Sequence, residues 1–214
     1  MEVVVYFALS CLLLGIFTMT LLEARGLEIS IGGQIFIFGL ICLSVIYNIY
    51  CVAIGDFFYI CRMVYILPFL IAISLVDASS QWVFDIDVMG GLVLSESILV
   101  LEILEILLDT GNTIDKIGPL IYNNVVGVLV LVGLSYGLHR FTKGLGMGDV
   151  LVYAMVGTMG GLLDSLAVFF LSFISAGLYC VIILINTRKK DGLIAFTPFI
   201  SIGFIVTYEI MIFI

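Results

Sequence analysis

The chain has 214 residues, of which 63% are hydrophobic and 11% charged, and its mean hydropathy is +1.33. That composition excludes a soluble globular domain and predicts an all-α, polytopic membrane protein. The net charge of −8 comes from acids spread along the chain, which marks neither an acidic tail nor a nucleic-acid-binding surface.

A bilayer core needs ~20 apolar residues per helix. By that measure eight transmembrane helices are expected, at residues 3–22, 31–54, 57–76, 88–108, 119–138, 149–163, 165–185 and 193–214. The connections are short, so residues 1–214 read as a single membrane-embedded domain. The sixth span is short for a full crossing and is expected to be shielded by neighbours or by a water-filled cavity. Glu2 stands where a signal peptide would carry a basic region, so the first span is expected to stay as a helix. Cys11, Cys42, Cys51, Cys61 and Cys180 lie in apolar runs with no C-x-x-C pair. They are expected to be buried packing residues; no metal site, cofactor or disulfide framework is indicated.

Orientation follows the placement of Lys and Arg. With the N-terminus outside, the inner loops hold Arg25, Arg140, Lys143, Arg188, Lys189 and Lys190, and the outer side holds Arg62 and Lys116. Six against two places both termini outside. The segment after the third span and the one before Asp149 then share the cytoplasmic side.

The third span ends at Val76-Asp77. An acid at a helix C-terminus opposes the macrodipole, which sets Asp77 apart from an ordinary solvated terminus. Asp85 and Asp87, after Phe84, read as loop acids or supporting residues. The fourth span carries Glu96, Glu102 and Glu105. At 100° per residue Glu102 and Glu105 fall about 60° apart near the outer end, with Glu96 deeper and elsewhere on the wheel. The plain reading is a helix whose acids face water; the functional one is a proton or cation pathway. Asp109-Thr110-Gly111-Asn112 imitates the D-T-G loop of pepsin-like proteases, yet follows a hydrophobic helix in a short outer loop and reads as a helix stop. His139 is the only histidine. With Arg140 and Lys143 it is expected to complement a helix C-terminus at the headgroups, since one histidine builds no metal site. Arg188-Lys189-Lys190 reads as a topology signal.

Gly146-Met147-Gly148-Asp149 opens the sixth span. An ionised carboxylate at the mouth of a hydrophobic helix is costly, and the flanking glycines let backbone approach a substrate or adopt conformations closed to other residues. Asp77 and Asp149 at one membrane face form a candidate pair. In a low-dielectric cleft two carboxylates share a proton, so that one accepts from a water while the other donates to a scissile carbonyl.

Gly146-Met-Gly-Asp149 after a basic loop resembles the G-x-G-D motif of the type IV prepilin peptidases, a family of membrane aspartic proteases. In that family the first aspartate is followed seven or eight residues later by Pro-Asp or Pro-Asn; here Asp77 is followed by Phe84-Asp85. Phe196-Thr-Pro198-Phe199 through Gly203 is similar to the family's Pro-Phe…Gly segment, and the likeness covers roughly residues 60 to 210. Leu151 stands where members often carry lysine. The inner loop at 23–30 is too short for the zinc-binding domain linked with N-terminal methylation, so a peptidase-only short form is expected. The resemblance implies an aspartic endopeptidase of the inner (cytoplasmic) membrane whose site faces the cytoplasm. Asp77 and Asp149 would be catalytic, with Gly146, Met147, Gly148, Asp85, Pro198 and Phe199 shaping the loop or the substrate site. Its partners would be membrane lipid and type IV prepilin-like precursors, with a basic leader ending in glycine before a hydrophobic helix. The presenilin and signal peptide peptidase group is less similar, because Val76 stands in place of its tyrosine and its Pro-Ala-Leu segment is absent. The rival readings are a proton-coupled transporter subunit using Glu96, Glu102 and Glu105, and a non-catalytic membrane scaffold.

Overall fold

The computed structural model describes residues 2–52, 57–108, 113–142, 144–187 and 194–210. Asp109 to Asn112, Lys143, Arg188 to Lys190 and the side chain of Cys51 lie outside the described residues. Among the described residues there are eight α-helices and no strand. They are α1 (Glu2–Ala24), α2 (Ile31–Val52), α3 (Phe57–Ser80), α4 (Asp85–Leu108), α5 (Thr113–Thr142), α6 (Met147–Gly157), α7 (Leu162–Thr187) and α8 (Thr197–Ile205), the last continued by a π-helical turn at Val206–Ile210. Stretches within α3, α5 and α7 (Phe57–Ser80, Asp115–Thr142 and Leu162–Asn186) are long and apolar enough to cross a membrane. Large apolar side chains stand outward on most helices, among them Leu13, Ile35, Leu129 and Leu178, as expected where the surroundings are hydrocarbon.

α3 is the central element. Ile66, Leu70 and Ile73 pack into a cluster with Val152, Tyr153, Met155, Ile200 and Phe204, while Ala72 and Val76 join Cys11, Leu14, Leu22, Ile37 and Ile41. α3 thus packs on α4 and α8 on one side, with α6 side chains in the same cluster, and on the α1–α2 hairpin on the other. Arg25, just past α1, donates through Nε to Asp87 Oδ2 at 2.9 Å and through Nη2 to Oδ1, with its guanidinium 4.5 Å from the centre of the Phe84 ring. The Asp87 hydrogen bonds raise the Arg25 pKa further above its ordinary value. Asp85 and Asp87 are therefore not loop acids. They form the first turn of α4, where acids suit the helix dipole, and Asp87 is buried beneath its arginine.

Two further expectations change. The sixth apolar run divides at residues 158–161, so α6 has 11 residues and is about 16 Å long, and Leu162-Leu163 begin α7. α8 starts only at Thr197 and has nine residues, about 14 Å. Both α-helices are shorter than a ~30 Å hydrocarbon core, and α8 continues into the π-helical turn. α6 packs on α4 and α5 and α8 on α3 and α7, and their N-terminal ends converge. α6 lies against α5 so closely that a Cβ on Gly127 would overlap the carbonyls of Gly157 and Gly160, the small-residue contact that lets membrane helices approach.

Candidate active site

The N-terminal end of α6 supplies Asp149. Gly146 precedes the helix with φ −70° and ψ 154°, and its N–H donates to Asp149 Oδ2 at 3.0 Å. The carboxylate thus takes one of the orphan donors at its own helix start, where negative charge is favoured by the dipole. Gly146 has an ordinary extended backbone, so conformational freedom is not what glycine contributes there. At Gly148 the reason is space: a Cβ would lie 2.7 Å from Val83 Cβ, in the segment that joins α3 to α4.

The last turn of α3 supplies Asp77, and the opposition of an acid to its own helix dipole is answered by another helix. Thr197 is the first residue of α8, and its N–H donates to Asp77 Oδ2 at 3.0 Å. Asp77 therefore faces the positive N-terminal end of α8, where Pro198 has no N–H to offer. Ser74, one turn before Asp77, and Ser201, one turn after Thr197, hydrogen-bond through their hydroxyls at 2.7 Å, as antiparallel packing of α3 and α8 requires. α3 itself ends in a left-handed residue that is not glycine, Gln81 with φ 56°, whose N–H donates to the Asp77 carbonyl at 2.7 Å.

The hydroxyl of the same Thr197 donates to Asp149 Oδ1 at 3.2 Å. One fully buried residue thus touches both aspartates, which are themselves buried. With one hydrogen bond on each side of Thr197, the bonded carboxyl oxygens are no more than about 10 Å apart. Both line a cavity of about 660 Å³ with Gln81, Gly146, Phe173 and Phe196, a size suited to several side chains of an extended ligand. Its long wall is α7, which presents Phe173, Ala176, Gly177 and Cys180. Cys180 is accordingly exposed to the cavity, and Cys42 and Cys61 are half-buried, so of the described cysteines only Cys11 is a fully buried packing residue.

The remaining residues singled out in the sequence take varied places. Met147 is half exposed and Asp85 exposed. Phe199 is buried, with its ring 5.4 Å from that of Tyr179, and Pro198 lies in the first turn of α8. Phe196 and Thr197, immediately before the Pro-Phe pair, are the residues that meet the cavity and the aspartates. His139 Nδ1–H donates to the Leu145 carbonyl at 2.8 Å, tying the end of α5 to the segment before Gly146. The signals available in the sequence for Thr197 were its hydroxyl and its place before a proline at a helix start.

A second polar group lies toward the other end of α3. Arg62 is buried and donates through Nη1 to the Thr158 carbonyl at 3.2 Å, and Asn124 Nδ2 donates to the same oxygen and to Glu96 Oε1, both at 3.0 Å. Glu96 and Glu102 are both within electrostatic reach of the guanidinium, whereas Glu105 is exposed, as the plain reading of a water-facing acid expects. Arg62 and Asn124 cap the carbonyl that ends α6, where a cation opposes the negative end of the dipole.

Comparison with family models, with curated proteins and with solved structures finds no match to this chain.

Proposed function

We propose that the protein is a membrane aspartic endopeptidase in which Asp77 and Asp149 together activate a water molecule. The observation that carries this reading is the joining of the two carboxylates through Thr197 at the wall of one cavity. Each carboxylate also holds a backbone N–H at a helix start, so the low-dielectric surroundings are offset by oriented donors in place of water. One carboxylate accepts a proton from water as the water oxygen bonds to the peptide carbon, and the other gives its proton to the carbonyl oxygen. The tetrahedral product then breaks its C–N bond as the amine is protonated.

The substrate class we infer is a type IV prepilin-like precursor, on the strength of the G-x-G-D resemblance. The exposed Trp82, two residues past the end of α3, sits where aromatic side chains commonly mark a membrane interface. Lys and Arg placement supports a cytoplasmic position for that interface, with eight membrane-embedded helices and both termini outside. The transporter reading needs Glu96, Glu102 and Glu105 to act together, and it is weakened by the hydrogen bond that holds Glu96 to Asn124 and by the outward position of Glu105.

The test is cleavage of a prepilin-type precursor by the purified full chain, beside Asp77→Asn and Asp149→Asn. Each substitution should lower the rate by a factor of about 1,000 or more. Normal cleavage by both variants would end the protease reading; loss of function on substituting Glu96 or Glu102, with the aspartates dispensable, would favour transport.

A further inference from the structure

We propose that Thr197 is the positioning residue of the dyad and that its two donors assign the aspartates different roles, with Asp77 as the base and Asp149 as the acid, protonated on Oδ1. This rests on the peptidase reading and deepens it.

The assignment follows from what each group can do in a hydrogen bond. A backbone N–H only donates. Asp149 Oδ2 receives the Gly146 N–H and Asp77 Oδ2 receives the Thr197 N–H, so a proton on either Oδ2 would face a fixed donor. The Oδ1 of Asp149 instead meets a hydroxyl, which donates to a carboxylate and, after rotation, accepts from a carboxylic acid. Asp149 Oδ1 is therefore a position where a proton can arrive or leave while the hydrogen bond persists. Thr197 is fully buried, so water does not compete for this role. Its backbone is pinned on both sides, by Asp77 through its N–H and by the Ser201 hydroxyl donating to its carbonyl at 3.2 Å.

The reaction step balances on these atoms. Asp77 takes one proton from water, the water oxygen bonds to the substrate carbonyl carbon, and the proton on Asp149 Oδ1 passes to the carbonyl oxygen. As that proton leaves, the Thr197 hydroxyl turns to donate to the carboxylate it has left behind. In the second half, the gem-diol returns a proton to Asp149 and Asp77 gives its proton to the leaving nitrogen, so the pair again holds one proton.

Thr197→Val keeps the shape of the side chain and removes the hydroxyl, while Thr197→Ser keeps the hydroxyl. With the purified chain and a prepilin-type precursor, Val should lower kcat about 10- to 100-fold, the effect of leaving one buried acceptor unsatisfied. KM should stay within about twofold, and Ser should restore kcat to within about threefold of wild type, because the altered step is chemical and not binding. A purely structural role predicts instead that Val, the closer match in shape, is the milder change. Infrared difference spectra provide a readout that needs neither cleavage nor a position-197 variant that folds. The carboxylic-acid C=O band of the resting protein should vanish in Asp149→Asn and persist in Asp77→Asn. The reverse pattern, or a Val variant with wild-type kcat, overturns the assignment. A wild-type chain that shows the Asp149 band yet cleaves no precursor overturns the peptidase reading and leaves the proton assignment standing.

Discussion

Replacing Gly148 with alanine sets one methyl group against Val83. The new Cβ would lie 2.7 Å from Val83 Cβ and 3.2 and 3.3 Å from its two γ-carbons, against an ordinary contact of 3.4 Å or more. Relief requires a shift of about 0.7 Å. Rotating Val83 cannot supply it, because the nearest atom is Cβ, which moves only with the backbone. Either the α3–α4 segment or the start of α6 must give way, and overpacking of this kind costs about 1–3 kcal/mol. Asp149 is the next residue, so the displacement is passed to a carboxylate held at 3.0 and 3.2 Å by its two donors. A misplacement approaching 1 Å in such a site lowers rates by up to about 100-fold. The assay is a set of four chains: wild type, Gly148→Ala, and that variant combined with Val83→Ala or Val83→Gly. Thermal unfolding in detergent and precursor cleavage are read for each. Val83→Ala retains the offending Cβ and should rescue poorly; Val83→Gly removes it and should restore more of both. Equal rescue by the two, or an innocuous Gly148→Ala, would refute the claim that close approach is why glycine is needed there.

The α5–α6 contact makes a paired prediction: Gly127→Ala should prevent stable folding because its Cβ meets backbone carbonyls that cannot rotate away. Gly133→Ala on the same helix, where a Cβ meets nothing within 4 Å, should be neutral or slightly stabilising by the same unfolding measurement. Arg62→Met should destabilise the protein by about 1–3 kcal/mol, since it leaves the buried Thr158 carbonyl without its charged donor and removes the cation near Glu96 and Glu102. Arg62→Lys should recover part of that in detergent unfolding, and equal damage from Lys would show that charge is not the cause. Gln81→Gly should stabilise the end of α3 by about 1 kcal/mol by relieving a left-handed backbone. If the Gln81 side chain on the cavity wall also contacts substrate, the same variant raises KM for precursor cleavage; an unchanged KM would assign it no binding role.

Local sequence determined most of the helices, because each is an apolar run interrupted by glycine, proline or charge, and a chain with so few charged residues can satisfy its backbone in lipid only by hydrogen-bonding within helices. It also marked Asp77 and Asp149 as misplaced charges, one opposing its own helix dipole and one at the start of an apolar run. Tertiary structure decided what relieves them. Hydropathy counts apolar residues and does not register where a run divides, so the apolar run 149–163 gives no sign of its break at 158–161, nor the run 193–214 of a helix that begins only at Thr197. The placing of α6 and α8 matters because it brings two helix N-termini, and hence unsatisfied N–H groups, to the buried aspartates. Thr197 lies 120 residues from Asp77 and 48 from Asp149, and neither spacing carries a local signal that the three will meet. The same holds for Arg62 and Thr158, 96 residues apart. The acids could be found one at a time from local rules, since each violates one; the residue that joins them violates none, and only packing of α3 against α8 reveals it.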